Sequence, residues 1–85
     1  MQLVLLDFSV FETMAQVLSF LGEALDFPPY YGQNLDALYD CLTDLSSPTR
    51  LLLRHAETVL GKELLPLLHR AVEANPHLSL KAVED

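Results

Sequence analysis

A chain of 85 residues makes one domain, and a domain of this size buries only roughly 60–65% of the surface its unfolded chain exposes, which excludes a second lobe or a large enclosed cofactor. Hydrophobic residues make up 51% and charged residues 20%, a globular balance whose apolar runs (Leu3–Leu6, Leu51–Leu53) fall far short of the ~18 residues of a membrane span. Twelve acids against five bases leave a net charge of −7, without the basic footprint that nucleic-acid binding requires and suited to a basic partner. All of that excess sits in residues 1–49, which carry Asp7, Glu12, Glu23, Asp26, Asp36, Asp40 and Asp44 and neither Lys nor Arg.

Met1–Asp7 opens with Leu3-Val4-Leu5-Leu6, a continuous apolar run that reads as a strand buried on both faces. Two capping boxes follow, Ser9-x-x-Glu12 and Thr13-x-x-Gln16, either of which can open a helix. Phe11, Met14, Leu18, Leu21 and Leu25 then recur every three or four residues as one apolar helical face. That helix must stop before Pro28-Pro29. Pro28–Gln33 is a loop with adjacent tyrosines, Tyr30 and Tyr31. Here Tyr31 is expected to pack and anchor the loop, Tyr30 to face a partner, and Gly32 to meet a backbone requirement.

Asn34 is a good N-cap for a second helix over about Leu35–Leu45, with Leu35, Leu38, Leu42 and Leu45 as its apolar stripe. Asp36, Asp40 and Asp44 lie four apart, so at 100° per residue they share the opposite, solvent side. Cys41 falls on the apolar flank and is expected to be buried and inert. A turn at Ser46–Thr49 leads to a short strand, Arg50–Arg54. Ala56–Leu60 reads as one helical turn closed by Gly61. A third helix follows over Lys62–Ala74, with Leu65, Leu68 and Val72 on one side and Pro66 required in its first turn. Asn75-Pro76 ends it, and Leu78–Val83 is a last strand. The order β-α-α-β-α-β implies parallel crossovers. The fold class expected is α/β, a small three-stranded parallel sheet packed against three main helices.

Residues Pro28-Pro29-Tyr30-Tyr31-Gly32-Gln33-Asn34-Leu35-Asp36-Ala37-Leu38-Tyr39-Asp40-Cys41-Leu42-Thr43 closely resemble the signature of the barstar family, intracellular inhibitors of secreted ribonucleases of the barnase type. There a Tyr-Tyr-Gly loop leads into a helix reading Asn-Leu-Asp-Ala-Leu, an aromatic, an Asp and, three residues later, a Thr. The resemblance implies a single barstar-like domain over residues 1–85, no catalytic activity and a binding surface. Asp40 would be the central anion, Asp36 a flanking carboxylate, Tyr30 a stacking contact and Thr43 a polar contact. Tyr39 stands at the family's aromatic position, and Gln33, Asn34 and Asp44 adjoin the patch. The family's second acidic anchor, late in its third helix, aligns with Arg70, a charge reversal; Glu73 is the nearest acid.

The chemistry of such a patch is intelligible. A ribonuclease must stabilise a phosphate, so its cleft is lined with cations. Aspartates on a rigid helix can stand in for that phosphate and accept charge-assisted hydrogen bonds. The partner expected is thus a ribonuclease toxin with a basic active-site cleft, bound by a monomer in a 1:1 complex, with no direct nucleic-acid or membrane contact. The competing reading is an acidic adaptor or regulator of the same fold that binds a basic non-nuclease protein. An acyl carrier protein needs a serine after its helix-opening Asp, and Asp36 is followed by Ala37. His55, His69 and His77 lack metal-ligand spacing, and no cofactor or metal is expected. Cys41 is the one cysteine, which excludes an internal disulfide and fits a reducing compartment. With no basic leader region at the start, a cytoplasmic location is expected.

Overall fold

A computed structural model describes residues 1–28 and 31–83 of the chain. Strand β1 (Gln2–Asp7) is followed by a short 3-10 turn (Phe8–Val10) and helix α1 (Met14–Ala24). Then come α2 (Leu35–Thr43), β2 (Thr49–Arg54), α3 (Val59–Ala74) and β3 (Leu78–Ala82). The three strands form one parallel sheet in the order β1-β2-β3, with Val4 opposite Leu51 and Leu51 opposite Leu80. The α/β class and the three-stranded parallel sheet are those expected from the sequence.

The sheet is not buried on both faces. Val4 and Leu6 of β1, Leu51 and Leu53 of β2 and Leu78 of β3 point into the core, whereas Leu3 and Leu5 are 60% and 48% exposed. The reason is topological. Both crossovers step the same way across the sheet, and right-handed connections then place their helices on the same side. The other face stays open, and carries Arg50, Leu52 and Lys81 beside the two leucines. Across it the Arg50 Nε donates to Ser79 Oγ at 3.2 Å.

Of the two capping boxes, the second is used. The Thr13 hydroxyl accepts from Gln16 N, and the Gln16 side chain accepts from Thr13 N. Val17, Leu18 and Leu21 of α1 are buried, while Phe11 and Met14 are only half-buried. The helix ends well before the prolines. Asp26 adopts φ 54°, and Phe27 N and Asp26 N donate back to Gly22 O and Glu23 O at 2.9 and 3.3 Å. This is a Schellman stop with Asp in the position usually held by glycine.

Helix α3 begins earlier than the sequence suggests. Thr58 caps it by accepting from Gly61 N at 3.2 Å, so Gly61 lies inside the first turn and closes nothing. Its missing side chain is needed: a Cβ there would lie 2.3 Å from the Ala56 carbonyl oxygen. Pro66 is consequently inside the helix, not in its first turn. It is tolerated on an exposed surface, where water can satisfy the carbonyl that loses its intrahelical partner. No described helix is long and apolar enough to cross a membrane.

Candidate protein-binding face on the second helix

Helix α2 is held rigidly at both ends. At its start the Asn34 Oδ1 accepts from Ala37 N at 2.8 Å. At its end the side chain of Asn75, only 3% exposed, reaches over from the end of α3. Its Nδ2 donates to the carbonyls of Leu42 and Leu45, 2.9 Å each. Leu42 is in the last turn, where carbonyls lack i+4 partners, and its oxygen otherwise accepts only at the turn, from Leu45 N at 3.4 Å and from the Asp44 N–H; Leu45 follows the helix end. Leu38 and Leu42 are fully buried against the core, and Leu35 and Leu45 are half-buried.

The opposite side of α2 projects Asp36 and Asp40, both exposed, and Asp44 caps its C-terminus. Among the described residues, the carboxylates of Asp36 and Asp40 have no ion-pair or hydrogen-bond partner. Asp36 lies in the first turn, where the helix dipole favours an anion; Asp44 sits at the disfavoured end. Asp40 forms a ridge between two depressions. One, of about 260 Å³, lies between α2 and the residues that follow α1, and includes Leu25, Phe27, Cys41 and Asp44. The other, a groove of about 490 Å³, runs between α2 and α3 and is lined by Asp36, Tyr39, Glu63, Pro66 and Arg70 among others. In it the Arg70 guanidinium lies 5.5 Å from the centroid of the half-buried Tyr39 ring.

The loop before α2 is anchored through Tyr31. Its hydroxyl donates to Leu18 O at 3.3 Å, and its ring meets Phe27 edge-on with centroids 5.0 Å apart. The ring lies so close to α1 that a Cβ on Gly22 would be 2.9 Å from it. Burial, and secondarily Cys41, pushes the Tyr31 phenol up to about 12, so it stays a neutral donor. The left-handed backbone of the loop falls on Gln33 (φ 52°), not on Gly32, whose φ is not positive.

The residues singled out in the sequence thus take different parts. Asp36, Tyr39 and Asp40 share one groove. Asp44 lines the other depression, as Asp40 also does. Gln33 is exposed beside the loop. Asn34 is exposed, but its oxygen is committed to the cap. The Thr43 hydroxyl donates to Asp40 O at 3.0 Å, turned onto its own helix. Tyr30 lies outside the described residues. Cys41 is half-buried rather than buried, because it borders the depression beside Asp44. Burial, then the charges of Asp40 and Asp44, push its thiol up, which disfavours the reactive thiolate.

Spacing did not group Glu63 and Pro66 with this surface, and only the family resemblance tied Arg70 to it. The three follow one another by three and four, a single stripe once α3 is known to run continuously through Pro66. Asn75 left no local signal, since its partners are 33 and 30 residues away. Among the described residues no group of three or more His, Cys, Asp or Glu could hold a metal ion.

The family model for barstar, the barnase inhibitor, matches residues 1–74. A protein of Bacillus subtilis (strain 168) named "Putative ribonuclease inhibitor YrdF" is 39% identical over 82 residues, covering 92% of this chain and 90% of its own.

Proposed function

This chain belongs to the barstar family, and on that premise we propose that it is a protein inhibitor, not an enzyme, that plugs the active site of a ribonuclease with the acidic side of α2 and the adjoining tyrosine loop. The observation that carries this reading is the state of Asp36 and Asp40: two exposed carboxylates, without partners among the described residues, on a helix capped at both ends. Such groups are already positioned for an incoming cation, so little ordering cost remains on binding. Asp40 stands between two depressions and is the natural first point of entry into a cationic cleft. Its carboxylate would occupy the place of the substrate phosphate and accept charge-assisted hydrogen bonds from the Arg, Lys or His groups that serve catalysis. Tyr39 and the tyrosine loop would add rigid apolar contact around it. The nuclease would be a toxin from which the cell must protect itself, and the inhibitor a cytoplasmic monomer acting 1:1.

The test is titration of ribonuclease activity, with barnase and with any nuclease that co-purifies with the chain or is encoded beside it. Inhibition should be stoichiometric. Asp40→Ala should then weaken binding by at least about 2–5 kcal/mol, because it strands buried cations; that range is set in part by the barnase–barstar pair itself. The order expected is Asp40 above Asp36 and Tyr30, and all three above Asp44. Calorimetry on the four alanine variants decides it: full affinity in Asp40→Ala with a loss in Asp44→Ala would move the binding surface elsewhere.

A further inference from the structure

Arg70 stands apart from everything around it. It is exposed on α3, and the other charged residues lining its groove, Asp36, Asp40 and Glu63, are all acids. Its guanidinium lies over the Tyr39 ring, 5.5 Å from the centroid, within reach of a cation–π contact. Among the described residues its N–H groups have no hydrogen-bond or ion-pair partner, so they remain available to an incoming surface. The ring face attracts the cation, so moving Arg70 aside means giving up that contact. Any surface that covers Tyr39 and Asp40 therefore meets a held positive charge within the same footprint.

That charge discriminates among partners. A cleft cationic along its whole length would gain from Asp36 and Asp40, but would have to desolvate its own cations against Arg70. Like charges juxtaposed across an interface suppress wrong partners in this way. A cleft with cations facing α2 and an acidic side chain facing α3 would satisfy both. Resting on the reading that α2 enters a nuclease cleft, we infer that Arg70 is a specificity residue: it turns away nucleases whose cleft is cationic throughout and selects one that sets a carboxylate against α3.

Barnase, the nuclease for which the family is named, serves as the probe. Affinities are measured for wild type, Arg70→Lys, Arg70→Gln and Arg70→Glu, each with and without Asp40→Ala. Thermal melts verify that the variants are folded, as expected for exposed positions. Arg70→Glu should bind barnase at least tenfold more tightly than wild type, with Arg70→Gln between them and Arg70→Lys like wild type. The gain should shrink as salt is raised, and Asp40→Ala should weaken binding in every background. If Asp40→Ala weakens binding but Arg70→Glu does not tighten it, the inference fails and the α2 reading stands. If Arg70→Glu tightens binding while Asp40→Ala changes nothing, the two do not share a footprint, and the inference falls together with that reading. If none of the variants binds barnase, Arg70 is not what excludes it, and the inference is wrong.

Discussion

Asp7 shows how one carboxylate can join the ends of two strands. It closes β1, and its Oδ1 accepts from Ser9 Oγ at 2.7 Å and Ser9 N at 3.0 Å and lies 2.9 Å from His55 Nδ1, just past β2. His55 is held there in a left-handed conformation, φ 56°. The Ser9 hydroxyl, then the His55 ring and the Ser9 amide hold the carboxyl down to about 2 from its ordinary 3.8. The unfolded chain therefore takes up this proton at a higher pH than the folded chain does. Between about pH 4 and pH 2 it binds more protons, so stability falls as pH falls through that window and is fully present above it. Thermal midpoints from pH 2 to 6 should accordingly show Asp7→Asn below wild type near pH 6 and converging with it near pH 2. Curves that stay parallel would mean that the contacts of Asp7 contribute nothing through its charge.

At the level of elements, the orientation of α2 depends on α3. The two helices pack along the groove, and Asn75 stitches the end of one to the end of the other. Deleting its amide would take this donor from the Leu45 carbonyl and leave that of Leu42 with only the bonds of the turn, and an unsatisfied buried group costs about 1–3 kcal/mol. Asn75→Ala should lower the urea midpoint by a corresponding amount. It should also weaken partner binding although Asn75 lies beneath the acidic side and not on it, because the last turn of α2 loses its fixed position. A variant with an unchanged midpoint would show that water replaces the amide freely. The termini of the other helices follow the same logic of local satisfaction: a capping box for α1, Thr58 for α3 and a Schellman stop at Asp26.

Over the whole molecule, charge is segregated. The acids of α2 face one way, and Arg50 and Lys81 lie on the open face of the sheet. The molecule measures 30 × 24 × 19 Å, so even its shortest dimension is about two Debye lengths at physiological salt, ~8 Å each. The two fields are therefore screened from one another. A basic partner approaching α2 meets an almost purely negative surface, interrupted at Arg70. Association with a ribonuclease should consequently slow steeply with ionic strength while dissociation changes far less. Stopped-flow rates that stay flat from low to high salt would remove the steering while leaving the interface itself in place.

Local pattern by itself determined much of this protein. The element order, the Asn34 cap, the buried Leu38 and Leu42 and the exposed Asp36 and Asp40 all follow from helical periodicity and capping chemistry, which act within a few residues. The Pro28–Thr43 segment was specific enough to place the family. What pattern could not supply depends on contacts distant in sequence. The leucine run of β1 reads as doubly buried because hydrophobicity does not reveal on which side the crossovers fall; the strand order left one face open. Pro66 argues locally for a helix start at Lys62. Instead Thr58 caps the helix earlier, Gly61 accommodates the Ala56 carbonyl, and an exposed position makes the proline tolerable. Cys41 is half-buried because the residues after α1 leave a depression beside it. The groove joining Tyr39 and Asp40 to Arg70, and the amide of Asn75 under the end of α2, arise only when α2 and α3 pack, since residues some thirty positions apart carry no mark of one another until the chain is folded.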